Sequence, residues 1–137
     1  MSQTNKELAA AFFTALSKGD TATLRHLLHP ELEAFAMGTS VLSGKRNFQQ
    51  ILEAVSIISQ VTMGGLAFNI VSMTAEENRV SVEIDGRSTL KNGTPYNNQY
   101  HFLITIQDGK VIRLKEYFCS KMADAVFSPM FAELAAK

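Results

Sequence analysis

The stretch VIRLKEYFC, Val111 to Cys119, alternates side chains in the manner of a strand with two unlike faces. Ile112, Leu114, Glu116 and Phe118 share one face, and Val111, Arg113, Lys115 and Tyr117 share the other. A carboxylate therefore stands in the middle of an apolar row. Burying an ionised carboxylate is costly unless it is paired, hydrogen-bonded or neutralised. Either this face lines a pocket or Glu116 has a dedicated structural partner. In a pocket, desolvation would raise the Glu116 pKa toward neutrality and equip it as a general acid or base.

A second group precedes it. Tyr96, Asn98, Tyr100 and Phe102 fall on one face of their strand, so two phenols and an amide project together. Tyrosine can hold a developing oxyanion and an amide can orient a substrate; the competing reading is strand aromatics packed for their own sake. His101 points to the opposite face beside Leu103, and shares a pocket with Tyr100 only if a bulge intervenes. Asp85 lies with Glu83 and Arg87, away from Val80, Val82 and Ile84, which is the pattern of a solvent-facing charged row. Gly86 leaves room for a bulge that would turn Asp85 inward. Cys119 reads as a small buried hydrophobe. Among the other apolar residues, Phe12 and Phe35 are candidates for lining a cavity that takes a small hydrophobic molecule.

These residues need elements to position them. Thr4 to Glu7 has the form of a capping box, and Leu8, Phe12, Ala15 and Leu16 then make one apolar helical stripe ending at Lys18-Gly19. Asp20 caps a shorter helix carrying Leu24, Leu27 and Leu28, stopped before Pro30. Glu31 to Met37 reads as a short strand, and Gly44 to about Ser59 as a third helix. From Gly65 the period becomes two, with strands over 66–74, 79–90, 96–107 and 110–119, joined by Glu77-Asn78, Asn92-Gly93 and Asp108-Gly109. Met122 to Ala136 is a final amphipathic segment. Helices first and a meander afterwards predict an α+β fold with helices gathered on one face of a sheet.

The 137 residues suit a single domain over 1–137. Thirteen basic against thirteen acidic side chains, with no basic block, argue against nucleic acid as partner. A lone cysteine excludes an internal disulfide framework and fits a reducing cytoplasm. The amino-terminal stretch does not read as a secretory signal and no apolar run is long enough for a bilayer, so a cytoplasmic protein is expected.

The G-x-P-Y turn at Gly93 to Tyr96, N-x-Y-x-F at Asn98 to Phe102, D-G-K at Asp108 to Lys110 and E-Y-F at Glu116 to Phe118 resemble the SnoaL-like group of the nuclear transport factor two-like superfamily. The resemblance implies a cystatin-like cone, a curved mixed or antiparallel sheet with the N-terminal helices on its concave face. It also implies a homodimer formed through the sheet face. Its enzymes include ketosteroid isomerases, polyketide cyclases and limonene-epoxide hydrolases, with acid–base residues in the cone. Glu116 stands where the hydrolases carry a last-strand acid, and Asp85 near a second acid, although Glu83 occupies the place of the accompanying arginine. The resemblance implies a cofactor-free isomerase or cyclase moving a proton on a small, apolar carbonyl or polyketide-like substrate. Glu116 would move the proton, Tyr96 or Tyr100 would hold the enolate, and Asn98 and His101 are further candidates for substrate contact. The alternatives are a non-catalytic ligand-binding or interaction domain and an epoxide-hydrolase-like enzyme. No phosphate-cradling glycine loop or ligand cluster suggests a metal, flavin or nicotinamide.

Overall fold

The computed structural model describes residues 4–136. Helix α1 (Asn5–Lys18) begins where the Thr4 hydroxyl accepts a hydrogen bond from the Glu7 backbone N–H at 3.1 Å. It ends at Gly19, whose left-handed backbone (φ 66°) suits glycine, and a Cβ there would come within 2.7 Å of Ser59 Oγ. Leu8, Phe12 and Phe13 are fully buried on its inner face. Each such side chain contributes about 1.5–3 kcal/mol, more than the roughly 1 kcal/mol of a cap, so packing rather than capping holds α1.

Helix α2 (Thr21–Leu27) is capped by Asp20 and stops earlier than the apolar spacing suggests, because Leu28 already begins strand β1 (Leu28–Ala36). His29 and Pro30 therefore belong to an extended segment. The region read as one helix from Gly44 divides in two: a short strand β2 (Gly44–Arg46), then α3 (Phe48–Val61). The boundary is a capping box in which Asn47 Oδ1 accepts from Gln50 N and Gln50 Oε1 accepts from Asn47 N, both at 2.9 Å. Strands β3 (Ala67–Glu76), β4 (Arg79–Thr89), β5 (Pro95–Gln107) and β6 (Lys110–Phe118) follow, and α4 (Ser120–Ala135) closes the described chain.

One six-stranded sheet runs in the order β2-β1-β6-β5-β4-β3, antiparallel throughout except for the parallel β1–β6 pair. Register shifts interrupt β1, β3 and β6. Bulges of this kind bend a strand and increase its twist, and the sheet is curved and unclosed. In β6 Val111 faces Ile106 but Arg113 faces Thr105, so Ile112 is an inserted residue. The apolar row expected to begin at Ile112 instead runs Val111, Leu114, Glu116, Phe118, with Val111 fully buried.

Helices α1 and α3 lie across the concave face. The main core joins them to Val80, Val82, Ile84, Phe102 and Ile104 of the sheet. A second, smaller cluster of Leu90, Tyr96, Ala123 and Phe127 seats α4. Among the described residues no helix is long and apolar enough to cross a membrane.

Candidate functional site

Between the concave face and helices α3 and α4 the fold leaves a cavity of about 580 Å³. Glu116 is on its wall. Strand alternation puts it there, between Leu114 and Phe118, and its register partners are Phe102 on β5 and Ala36 on β1. What remains exposed of this half-buried side chain opens to the cavity, and no hydrogen bond relieves it among the described residues. Desolvation pushes the Glu116 pKa up to about 7 from its ordinary 4.5, with the Arg46 charge pulling the other way.

Tyr96 and Tyr100 line the same cavity. Their hydroxyls are 3.1 Å apart, and Asn98 decides how that pair is wired. Asn98 Oδ1 accepts from two backbone donors, Gln99 N at 2.8 Å and Cys119 N at 3.3 Å, which fixes the orientation of the amide. Its Nδ2 then donates to Tyr96 Oη at 2.9 Å and to the Cys119 carbonyl at 3.1 Å. Tyr96 Oη thus accepts from Asn98 and from Tyr100, and its own proton is left to point into the cavity. Burial raises the pKa of both phenols, and the Glu116 charge adds to that rise, so both stay protonated donors.

Gly86 makes this arrangement possible. The register from β4 to β5 is unbroken through Gly86, so no bulge turns Asp85 inward. Instead the Tyr100 ring lies over the glycine, where a Cβ would meet Tyr100 Cε1 at 2.6 Å. Phe68 packs edge-on against Tyr100 with ring centres 5.4 Å apart. Phe12 and Phe102 also reach the cavity wall.

Five residues singled out in the sequence do not line the cavity. Asp85 stays on the convex face, opposite Gln99 and Asn69, away from Glu116. His101 is exposed on the same face and bonded to Ser81 Oγ, because the strand between it and Tyr100 is regular. Phe35 also faces outward, under the Lys45 ammonium at 5.8 Å. Asn98 is next to the cavity but spends both its Nδ2 protons within the protein, so it positions Tyr96 and does not meet a substrate. Cys119, expected in the core, is exposed at the start of α4. Arg46 is the residue that the sequence reading missed: a three-residue edge strand has no periodicity of its own, and nothing local marks its last residue as cavity-facing.

Residues 9–114 match the sequence profile of the SnoaL-like domain. The chain belongs to the SnoaL-like family. No curated protein matches it in sequence. Among solved structures, PrhC of Penicillium brasilianum superposes with a TM-score of 0.84 at 19% identity, covering 97% of this chain and 91% of that one. IdmH of Streptomyces antibioticus, a candidate polyketide cyclase, gives 0.76 at 15% identity over 90% and 97%. A LEH-like epoxide hydrolase from M. tuberculosis gives 0.72 at 15% identity over 97% and 96%. At these identities the likeness is one of fold, that of cystatin-like and nuclear transport factor two-like proteins.

Proposed function

We propose that this SnoaL-like protein is a cofactor-free isomerase or cyclase that moves a proton on a small, largely apolar carbonyl compound. The observation that carries the reading is Glu116, a carboxyl held near neutrality on an apolar cavity wall it shares with a tyrosine O–H that has no protein acceptor among the described residues. An acid titrating near the operating pH is suited to proton transfer in both directions. The Glu116 carboxylate takes a proton from the carbon next to a carbonyl. The electron pair of that C–H bond becomes an enolate, whose oxygen accepts the Tyr96 hydrogen bond. Tyr100 and Asn98 donate to Tyr96 and strengthen it as a donor. Return of the proton from Glu116 to a different carbon completes an isomerisation. In a cyclisation the enolate carbon bonds to a second carbonyl carbon, and Glu116 gives its proton to the alkoxide formed there.

The IdmH likeness fits this class, whereas the second acid of the hydrolase reading, Asp85, lies on the other face of the sheet. The test is hydrogen–deuterium exchange at the α-carbon of a panel of apolar ketones in heavy water, followed by proton NMR. The wild-type protein should accelerate exchange, with a rate that rises with pH through about 7 as Glu116 ionises. Glu116→Gln should lower the rate by about 10²–10⁴, and Tyr96→Phe by about 10²–10³. Ketones that bind without exchanging would leave the binding-domain reading in place of the enzyme.

A further inference from the structure

The proton-transfer reading leaves three charged groups on the cavity wall unused, Lys45, Arg46 and Glu53, and of the two cations Arg46 is the one without an ion pair among the described residues. Arg46 ends β2, and the register sets it opposite Ala34, which in turn faces Leu114. Directly paired residues project to the same side of a sheet, so Arg46 shares the concave face with Leu114 and Glu116 and lines the cavity. Where β1 pairs with β2, its concave side presents Ala34 and Ala36. Neither side chain extends past its Cβ, and Ala36 pairs with Glu116 as Ala34 pairs with Arg46.

The guanidinium carries five N–H donors and needs acceptors for them. Among the described residues it has one, the Leu42 carbonyl 2.9 Å from Nη2, and it forms no ion pair. The two acids on the cavity wall, Glu53 and Glu116, do not pair with it. Lys45 also borders the cavity, but its ammonium is already claimed, 2.9 Å from Glu33 and over the Phe35 ring. A half-buried guanidinium with unclaimed donors on an otherwise largely apolar wall matches the planar, two-oxygen geometry of a carboxylate.

We infer that the cavity takes an apolar molecule bearing a carboxylate, which Arg46 holds while the carbonyl part lies between Glu116 and Tyr96. The inference rests on the proton-transfer reading of the same cavity and adds the substrate class to it. It also couples binding to chemistry. A bound carboxylate cancels the positive field that draws the Glu116 pKa down and adds a negative charge nearby, so Glu116 becomes a stronger base once the substrate is in place.

The experiment compares two probes of one carbon skeleton, 4-phenylbutanoate and 4-phenylbutanamide, titrated into the protein by calorimetry at about pH 6, where a simple carboxylic acid is ionised. The carboxylate should bind wild-type protein about tenfold or more tightly than the amide, the margin expected of charge-assisted hydrogen bonds. Arg46→Gln should erase that margin while leaving the affinity for the amide as it was. Glu116→Gln should keep the margin, which separates this inference from the proton-transfer reading: absent exchange with an intact margin sinks only the latter. A carboxylate that binds wild-type protein no better than the amide, or fails to bind, overturns the inference without recourse to any variant. So does a margin that survives Arg46→Gln.

Discussion

Glu116 makes the stability of this protein depend on pH in the sense opposite to most carboxylates. Its folded pKa of about 7 lies above the ordinary 4.5, so between these values the native state holds a proton that the unfolded chain has lost. Stability then falls as pH rises through that window, and below about 4.5 the penalty vanishes because both states are protonated. The full shift corresponds to at most about 3 kcal/mol, less whatever water in the cavity recovers. Glu116→Gln removes the titration while keeping the shape. The variant should gain up to about that amount over wild type in urea unfolding at about pH 8.5, and little at about pH 4.5. Equal differences at the two pH values would mean that Glu116 is not desolvated. The sequence exposed this residue because an acid in an apolar strand row has no ordinary explanation. Arg46 gave no such sign, since an arginine near a chain turn is commonplace and only the β1–β2 register turns it toward the cavity.

At the scale of elements, the hairpin between β5 and β6 shows why much of the fold was legible. Asp108 and Gly109 both have positive φ, 55° and 71°, the backbone that a two-residue hairpin loop requires and that Asp-Gly supplies. Period-two patterning fixed β3 to β6 to within two residues at each end, and with them the face carrying Tyr96, Tyr100 and Phe102. Bulges were not legible, because the inserted Ile112 is as apolar as its neighbours and leaves the alternation looking intact. Nor was the purpose of Gly86, whose missing side chain serves the neighbouring strand. Gly86→Ala would drive a methyl into the Tyr100 ring, and overpacking of this kind costs about 1–3 kcal/mol. The displaced ring should break the Tyr100 to Tyr96 hydrogen bond. The variant should therefore lower both the urea midpoint and the exchange rate of a reactive ketone, with Tyr100→Phe as the control that loses the hydrogen bond without the clash. A Gly86→Ala protein with wild-type stability and exchange would show that Tyr100 does not depend on that space.

The molecule as a whole joins a rigid sheet and its main core to a more lightly held wall. Helix α4 is seated by Ala123 and Phe127 against Leu90 and Tyr96, and tied to the β1–β2 connection by Asp124, which accepts from Ser40 Oγ at 2.6 Å and Val41 N at 2.9 Å. Pro129 inside the helix removes one of its backbone hydrogen bonds. Phe127 is the larger of the two buried side chains that α4 contributes to that seat and packs edge-on to Tyr96 with ring centres 4.8 Å apart. Truncating a phenylalanine in a main core costs about 3–5 kcal/mol, and Phe102→Ala should show a loss of that order in the global unfolding transition. Phe127→Ala should instead weaken the docking of one helix. Amide exchange along α4 should speed up while the central strands keep their protection, since local openings draw on local contacts. Water admitted past a loosened α4 would resolvate Glu116 and draw its pKa back toward 4.5, so the pH midpoint of catalysis should fall along with α4 protection. Loss of α4 protection with an unmoved midpoint would place the desolvation of Glu116 in the sheet and α3 alone, and would mean that α4 covers the cavity without tuning its acid.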